Sequence, residues 1–296
     1  MTALAPLASL YEGTLERGVD LPLPSQLRNL YGRLQFPPHP ERPYLIGNFV
    51  TTLDGVVSLN VPGQSGGKEI SGFNQHDRMV MGLLRAVADA VIVGAGTLRA
   101  VPDQLWTAGY IYPALADSYQ ELRTTLGKPG PPLNVVVTAR GEIDLGRRVF
   151  RSGEVPVLIV TTTQGAHHIR EREMPPSVQI ATIEGAERLS GRAILDAVGH
   201  FSQSDVILVE GGPQLMGSFF AEQCLDELFL TLAPQIAGRD GSVERPGLVA
   251  GKRFAPEQPL WGALAGVKQG GSHLFLRYAF ESATSPTLSR HSTVKL

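Results

Sequence analysis

The chain has 296 residues, of which 43% are apolar and 18% are charged, and its net charge is −2 at neutral pH. This is the composition of an ordinary globular protein of one or two domains, and so small a charge argues against nucleic acid or an anionic membrane as a partner. The single cysteine excludes an internal disulfide, and we see neither a secretory signal nor an apolar run of membrane-spanning length, so we expect a cytoplasmic protein.

Residues 1–40 predict an N-terminal arm with one short helix. Proline and glycine interrupt residues 1–24, which favours irregular structure, and Ser25 can cap the helix that follows. A run of prolines then enforces extended chain. We expect the main domain to span residues 41–280, and the Ser- and Thr-rich residues 281–296 to form a disordered tail.

The first strand of the domain is predicted at residues 44–52, and an Asp-Gly turn signal, Asp54 and Gly55, follows it. The turn alone is enough to explain why an aspartate stands at position 54. The polar, Gly-rich residues 58–72 fit either a mobile lid over a site or a disordered hairpin tip. The apolar spacing then predicts an amphipathic helix over residues 73–88.

A second strand, predicted at residues 89–94, runs into a Gly-x-Gly turn formed by Gly94 and Gly96, and the hydroxyl of Thr97 follows. The turn lacks the third glycine of the dinucleotide fingerprint, and no Gly-Lys-Ser/Thr follows it as in a Walker A loop. Further strands are predicted at residues 133–138, 155–161 and 178–182, and a helix at residues 190–200.

The central stretch of the chain is residues 205–220. An apolar, β-branched run from residue 206 to residue 209 predicts a buried strand, which Glu210 closes. Gly211 and Gly212 permit a tight turn, and Pro213 suits the first position of a helix. Free backbone N–H groups and the helix dipole make such a turn suitable for a phosphate. A plain strand–turn–helix joint without a ligand fits the same pattern, and both interpretations stay open on this segment alone.

The C-terminal part of the domain predicts strands at residues 225–233 and 262–278, with a hairpin turn at Gly270 and Gly271. Strands and helices alternate along the chain without a linker. The sequence therefore predicts one α/β domain with a mostly parallel sheet, flanking helices and an antiparallel C-terminal edge. We expect that edge to be uncovered and to pair with a second subunit.

Other chemistries find little support in the sequence. There is no Gly-x-Ser-x-Gly elbow, and the adjacent His167 and His168 diverge in a helix or a strand, so we predict no metal site. Glu210 and Asp54 are the carboxylates that fall at strand ends within recurrent motifs. They agree with a reductase, in which a nicotinamide supplies the chemistry and a carboxylate relays a proton or stabilises charge.

Six ordered blocks resemble the riboflavin-pathway pyrimidine reductases of the C-terminal reductase domain type, which belong to the dihydrofolate-reductase-like superfamily. These blocks are residues 42–44 (Arg-Pro-Tyr), 52–55 (Thr-Leu-Asp-Gly), 84–86 (Leu-Arg-Ala), 88–97 (Ala-Asp-Ala-Val-Ile-Val-Gly-Ala-Gly-Thr), 209–213 (Val-Glu-Gly-Gly-Pro) and 226–228 (Asp-Glu-Leu). The resemblance implies a dihydrofolate-reductase-like fold, a homodimer and NADPH as cofactor. It also implies reduction of a ribosylamino-pyrimidine phosphate to its ribityl form, as in the 5-amino-6-(5-phosphoribosylamino)uracil reductases.

The resemblance also implies roles for individual residues. The NADPH diphosphate would meet the two Gly-rich turns, at Gly94, Gly96, Thr97, Gly211, Gly212, Pro213, Gln214 and Leu215. Arg140 is our candidate for the adenosine 2′-phosphate, because a guanidinium fork matches phosphate geometry. Thr138 and Thr161 are cofactor candidates at neighbouring strand ends. Glu210 and Asp54 would be the catalytic candidates bordering nicotinamide and substrate, with Asn48 beside the substrate.

The substrate side departs from the family pattern. Asn48 stands where the family has a lysine, residues 101–103 (Val-Pro-Asp) replace an acidic Asp-Asp-Pro run, and Ala108 replaces a phosphate-binding arginine. Arg99 is placed to supply the missing positive charge. Two alternatives therefore stay open: a dihydrofolate- or pterin-reductase-like activity, and an NADP(H)-binding protein without turnover.

Overall fold

The computed structural model describes residues 4–13, 18–61 and 66–280. The predicted tail, residues 281–296, lies outside this part of the chain, as do residues 62–65 of the predicted Gly-rich loop. In the part that is described, no helix is both long and apolar enough to cross a membrane.

Twelve β-strands form within the described residues. They are β1 (Ala8–Glu12), β2 (Val19–Asp20), β3 (Gln35–Phe36), β4 (Tyr44–Thr51), β5 (Ala90–Gly94), β6 (Leu133–Thr138), β7 (Val157–Thr162), β8 (Val178–Ile183), β9 (Val206–Val209), β10 (Glu227–Leu232), β11 (Ala263–Gly270) and β12 (His273–Ala279).

The same ranges contain ten α-helices and a 3-10 turn at Pro113–Leu115. The helices are α1 (Ser25–Tyr31), α2 (Gly67–Ile70), α3 (Gln75–Val87), α4 (Ala95–Ala100), α5 (Ala108–Ile111), α6 (Ala116–Thr125), α7 (Arg148–Arg151), α8 (Thr163–Arg170), α9 (Gly191–Phe201) and α10 (Pro213–Ala221).

Ten strands form one sheet in the order β1-β11-β12-β10-β4-β9-β5-β6-β7-β8. The seven strands from β10 to β8 are parallel, whereas β10, β12, β11 and β1 pair antiparallel in that order. The predicted fold class, a mostly parallel sheet flanked by helices with an antiparallel C-terminal edge, is confirmed.

Both faces of the parallel region are buried, because successive side chains of a strand point to opposite faces. On β5, Val91 packs into a core that includes Leu83 of α3, whereas its neighbour Ile92 packs into a second core with Ile194 of α9 and Phe219 of α10. Burial on both sides explains why these strands read as continuous apolar runs rather than alternating ones.

Strand β9 lies between β4 and β5 and pairs in parallel with both. The predicted strand–helix–strand unit, β4 to β5, therefore contains a strand that arrives more than a hundred residues later in the chain. The carboxyl ends of these strands lie at one edge of the sheet, and parallel sheets bind their ligands at that edge.

The structure corrects two expectations about the ends of the chain. The N-terminal arm is not wholly irregular, because β1 pairs with β11 and extends the main sheet. The predicted uncovered C-terminal edge is also wrong, since β10 is an interior strand between β4 and β12, and β1 covers the outer side of β11. The local pattern predicts a strand but not its neighbours in the sheet, because β10 pairs with β4, and β1 pairs with β11, across long stretches of the chain.

Candidate active site

A cavity of about 810 Å³ opens beside the carboxyl ends of β4, β5 and β9. Its polar lining comes from several elements that are far apart in the sequence: Asn48, Lys68, Asp77, Arg78, Arg85, Thr97, Arg99, Gln104 and Glu210. Aromatic side chains, Phe73, Trp106 and Tyr110, complete the wall. A concave site with a few convergent polar groups is the usual form of a small-molecule site.

The two Gly-rich turns meet at this edge. A Cβ atom at Gly211 would lie 2.5 Å from the amide nitrogen of Gly94 and 2.5 Å from the Cα of Val93, so no side chain fits there. Gly212 has a φ of +58°, which disfavours any residue with a side chain. The two Gly-rich turns are therefore in direct backbone contact.

The surface in front of these turns is open and rich in backbone donors. A Cβ at Gly96 would meet only Arg99 Nη2, at 4.0 Å, and one at Gly94 would meet nothing within 4 Å. Neither Gly94 before α4 nor Gly212 before α10 provides a side-chain cap, so the first N–H groups of both helices face outward without an intrahelical partner. The arrangement is suited to an anionic group.

Glu210 follows β9 and forms a buried ion pair with Arg85 of α3. Arg85 Nε donates to Oε1 at 2.9 Å and Nη2 donates to Oε2 at 2.6 Å, and the two side chains are only 2% and 6% exposed. Glu210 makes no capping hydrogen bond to α10. Its carboxylate therefore borders the cavity and is held there by the Arg85 guanidinium.

The remaining donor of Arg85 holds the loop that follows α4. Nη1 donates to the carbonyl oxygens of Leu105 at 3.4 Å and Thr107 at 3.3 Å. With its amide oxygen turned toward the guanidinium, Gln104 accepts from Nη1 at 2.9 Å and Nη2 at 3.1 Å. Arg85 thus joins helix α3, the end of β9 and the 104–107 loop at one side of the cavity.

Asp54 does not line the cavity. Its carboxylate accepts from the Thr52 hydroxyl at 2.6 Å and from the backbone N–H groups of Ala237 at 3.0 Å and Gly238 at 2.7 Å. These hydrogen bonds hold the pKa of Asp54 well below its usual range. The structure therefore brings Asn48 and Glu210 together at the cavity, and places Asp54 at a turn that binds the loop after β10.

The candidates at the ends of β6 and β7 lie outside the cavity but at the same edge of the sheet. The hydroxyl of Thr138 accepts from the N–H of Gly141 at 3.2 Å. Thr161 is fully buried, and a Cβ at Gly165 would lie 2.1 Å from its hydroxyl oxygen. Arg140 is exposed and makes no side-chain hydrogen bond or ion pair with any described residue.

Five of the polar cavity residues named above were not predicted from the sequence: Lys68, Asp77, Arg78, Arg85 and Gln104. Asp77 is 4% exposed. Burial raises the pKa of Asp77 to about 6, although the nearby hydroxyls of Thr231 and Ser71 act to lower it. The sequence did contain a signal for Asp77. It lies three residues before Val80 and seven before Leu84, so a carboxylate interrupts the apolar face of α3.

Comparison with known proteins identifies relatives along most of the domain. The model of the RibD C-terminal domain family matches residues 43–258. The 2,5-diamino-6-ribosylamino-4(3H)-pyrimidinone 5′-phosphate reductase of Archaeoglobus fulgidus is 28% identical over 200 residues, which are 67% of this chain and 84% of that protein. The riboflavin biosynthesis protein RibD of Aquifex aeolicus is 26% identical over 210 residues, covering 70% of this chain and 51% of its own length.

Solved structures share the fold. A pyrimidine reductase-like protein from Corynebacterium diphtheriae superimposes with a TM-score of 0.63 at 22% identity, over 81% of this chain and 92% of that one. RibD of Acinetobacter baumannii gives a TM-score of 0.61 at 19% identity, over 81% of this chain and 59% of that one. The chain thus spans about half the length of the RibD proteins it matches.

The buried ion pair predicts a large effect of charge removal at Glu210. Glu210→Gln leaves the Arg85 guanidinium buried without a counter-charge, and we expect the free energy of unfolding to fall by roughly 3 kcal/mol. Urea denaturation measures this change. Replacing both partners, as in Arg85→Met with Glu210→Leu, should recover most of the loss because no charge is then left unpaired.

The matched control is the exposed pair between Arg148 and Glu154, whose side chains are 43% and 48% exposed and meet at 2.9 Å. Glu154→Gln should cost less than about 1 kcal/mol, because solvent screens an exposed pair. Equal losses for Glu210→Gln and Glu154→Gln would contradict the structural importance of the buried pair.

Proposed function

The chain belongs to the RibD C-terminal domain family, and on that premise we propose that it is an oxidoreductase that reduces a ribosylaminopyrimidine 5′-phosphate with NADPH. The relatives named for this activity in riboflavin biosynthesis support the reaction class. One observation carries the proposal: two Gly-rich turns pack backbone to backbone beside a cavity of about 810 Å³. With one cysteine in the chain, the reaction fits a reducing cytosol.

The residues of the two turns fit the diphosphate of a dinucleotide. The missing side chains leave room for a phosphate to approach the backbone, and two uncapped helix starts supply N–H donors. The proposed set is Gly94, Gly96, Thr97, Gly211, Gly212, Pro213, Gln214 and Leu215. When bound there, NADPH supplies the hydride, and the protein supplies orientation and charge.

Glu210 has a defined role in this proposal. Both of its oxygens accept hydrogen bonds from Arg85, which fixes the position of the carboxylate at the cavity wall. A carboxylate held at the cavity wall would stabilise the positive charge of a protonated C=N group on the substrate, which is the form that accepts a hydride most readily. Asn48 offers an amide to the substrate from the neighbouring strand β4.

Arg99 is the proposed ligand of the substrate phosphate. It lines the cavity, is exposed, and makes no side-chain hydrogen bond or ion pair with a described residue. Ala108 stands at the position where the family has a phosphate-binding arginine, and Ala108 is buried. A guanidinium already facing the cavity offers the same bidentate geometry from a different position.

The function is tested by NADPH oxidation at 340 nm with 2,5-diamino-6-ribosylamino-4(3H)-pyrimidinone 5′-phosphate. We expect turnover with this substrate. NADPH should also raise the melting temperature of the unmodified protein. This shift should disappear in Gly96→Val, because the valine side chain would occupy the space that the cofactor's phosphate needs. Gly130→Val is the control, since a Cβ at Gly130 also meets nothing within 4 Å but lies in a loop away from the cavity.

Three other outcomes would overturn parts of the proposal. Turnover of dihydrofolate but not of the ribosylaminopyrimidine would favour the pterin-reductase alternative. Binding of NADPH without turnover of either compound would favour a nucleotide-binding protein. An unchanged NADPH shift in a folded Gly96→Val variant would remove the Gly-rich turns from the cofactor site.

The choice of NADPH over NADH rests on Arg140 in this proposal. Its free guanidinium follows β6, the strand next to β5, and matches the 2′-phosphate that NADPH carries and NADH lacks. We expect Arg140→Ala to lower the NADPH-induced melting shift to that of NADH, whereas the exposed Arg28→Ala on α1 should leave the difference intact. Equal shifts with both cofactors in the unmodified protein would exclude this role.

We also propose a homodimer, built on the outer strands of the antiparallel edge. Strand β1 is exposed at the end of the sheet and presents Leu10 and Tyr11, and Trp261 and Leu264 are exposed near the start of β11. An apolar edge strand favours pairing with another chain.

We expect light scattering to give the mass of a dimer for the unmodified protein. The double variant Leu10→Lys with Leu264→Lys should have the mass of a monomer. The control variant Phe201→Lys on α9 should remain a dimer. A monomeric unmodified protein would contradict the proposal.

A further inference from the structure

One exposed aromatic ring at the cavity is attached to a backbone that does not suit it. Phe73 lines the cavity, yet 63% of the residue is exposed. Its φ is +60°, a left-handed conformation in which a bulky side chain is an outlier. In the free protein, the ring therefore gains little from burial while the backbone that carries it is strained.

Two other non-glycine residues of the described ranges have a positive φ, and each has a local explanation. Asn60, with a φ of +53°, belongs to a residue type that enters this region readily. Gln223, with a φ of +51°, follows the end of α10, where helices commonly close on a left-handed residue. Neither explanation applies to Phe73, because phenylalanine does not favour this region and a glycine already closes the helix before it.

That glycine is Gly72, which has a φ of +61° and follows the last turn of α2. The N–H of Phe73 donates to the carbonyl oxygen of Lys68 at 2.8 Å, as in a Schellman motif, and this motif needs one left-handed residue only. Asn74 then caps α3 by accepting from the N–H of Asp77 at 3.0 Å. The connection between α2 and α3 is thus fixed on both sides of Phe73, and it holds the ring at the cavity.

The ring of Phe73 is suited to a planar ligand. The Lys68 ammonium lies 6.0 Å from the ring centroid, which is the limit of a cation–π contact, and both side chains line the cavity. An exposed aromatic face binds another unsaturated ring by offset stacking, without any hydrogen bond. A ligand ring in the cavity that covered Phe73 would bury its apolar surface and so offset the strain of its backbone.

We propose that Phe73 stacks on the planar heterocycle of the substrate and covers it in the cavity. The inference rests on the proposed function, and it adds a residue that recognises the ring itself rather than the phosphate. The substrate ring is favoured over the nicotinamide because Phe73 lies on the connection between α2 and α3, whereas the proposed cofactor surface follows β5 and β9.

Phe73→Gly tests the inference, because it removes the ring and relieves the backbone in one change. We expect KM for 2,5-diamino-6-ribosylamino-4(3H)-pyrimidinone 5′-phosphate to rise about 10-fold, an ordinary effect for the loss of stacking on a base. Its dissociation constant with NADP⁺ present, measured by calorimetry, should rise equally. The value of kcat and the affinity for NADPH should stay unchanged, because the lost contact binds ground state and transition state alike.

The melting temperature supplies a second readout. A residue with only a structural role loses stability when its side chain is removed, whereas the free Phe73→Gly variant should melt no lower than the unmodified protein, since glycine adopts a positive φ without strain. Phe73→Ala keeps the Cβ atom and its strain but lacks the ring, so its KM should rise as in Phe73→Gly. Phe73→Tyr keeps a planar ring and should retain the original KM.

Gln223→Gly is the matched control. It makes the same backbone change at another exposed residue with a positive φ, but Gln223 lies outside the cavity. This variant should keep the KM of the unmodified protein. A rise in KM that matches the one in Phe73→Gly would assign the effect to the backbone and overturn the inference.

The remaining outcomes separate the inference from the proposed function. Unchanged KM and dissociation constant in Phe73→Gly and Phe73→Ala would overturn the inference while the reductase activity stands. An equal loss of affinity for NADPH would place the ring against the cofactor and overturn it too, as would a Phe73→Tyr variant as weak as Phe73→Gly. Failure of the unmodified protein to bind or reduce the pyrimidine compound would overturn the proposed function and the inference together.

Discussion

The close approach of two backbones at the carboxyl ends of β5 and β9 is the constraint on which the cavity depends. Gly211 lies so near Val93 and Gly94 that one additional carbon would overlap the neighbouring chain. This contact lets two turns, more than a hundred residues apart in sequence, form one continuous surface of N–H donors. Because β9 lies between β4 and β5, the same contact also brings Glu210 to the wall beside Asn48.

Charge around the cavity is divided between groups that are fully paired and groups that are not. Arg85 uses its donors on Glu210 and on the 104–107 loop, so it serves as a fixed brace between elements. Arg99 and Asp77 instead face the cavity without an ion-pair partner among the described residues.

Much of the fold follows from local pattern. Buried parallel strands are β-branched and apolar on both faces, so residues 90–94, 133–138 and 206–209 are recognisable without the structure, and the glycines mark the turns that follow. Strand β1 carries no such pattern because it is exposed along its length, and its pairing with β11 depends on residues far away in the sequence.

The candidate site was predicted in its backbone part and in a few side chains, Asn48, Arg99 and Glu210 among them. The glycines of both turns follow from the motif, but the importance of Arg85 and Asp77 arises from what faces them across the cavity, and periodicity reveals only the face of a helix. Asp54 is the opposite case, in which the position was predicted but the surroundings were not. Asp54 does follow a strand, yet its carboxylate accepts hydrogen bonds from Thr52 and from the backbone of Ala237 and Gly238.

The pairing of β1 with β11 joins the two ends of the described chain, with Ala8 opposite Gln269. During synthesis, the first strand leaves the ribosome some 250 residues before its partner exists. The parallel region from β4 to β9 can form during this interval, but β10, which pairs with β4, and the hairpin beyond it must arrive before β1 has a place to dock. The sequence separation of this pair is therefore the largest in the sheet, and closing the edge carries a high cost in loop entropy.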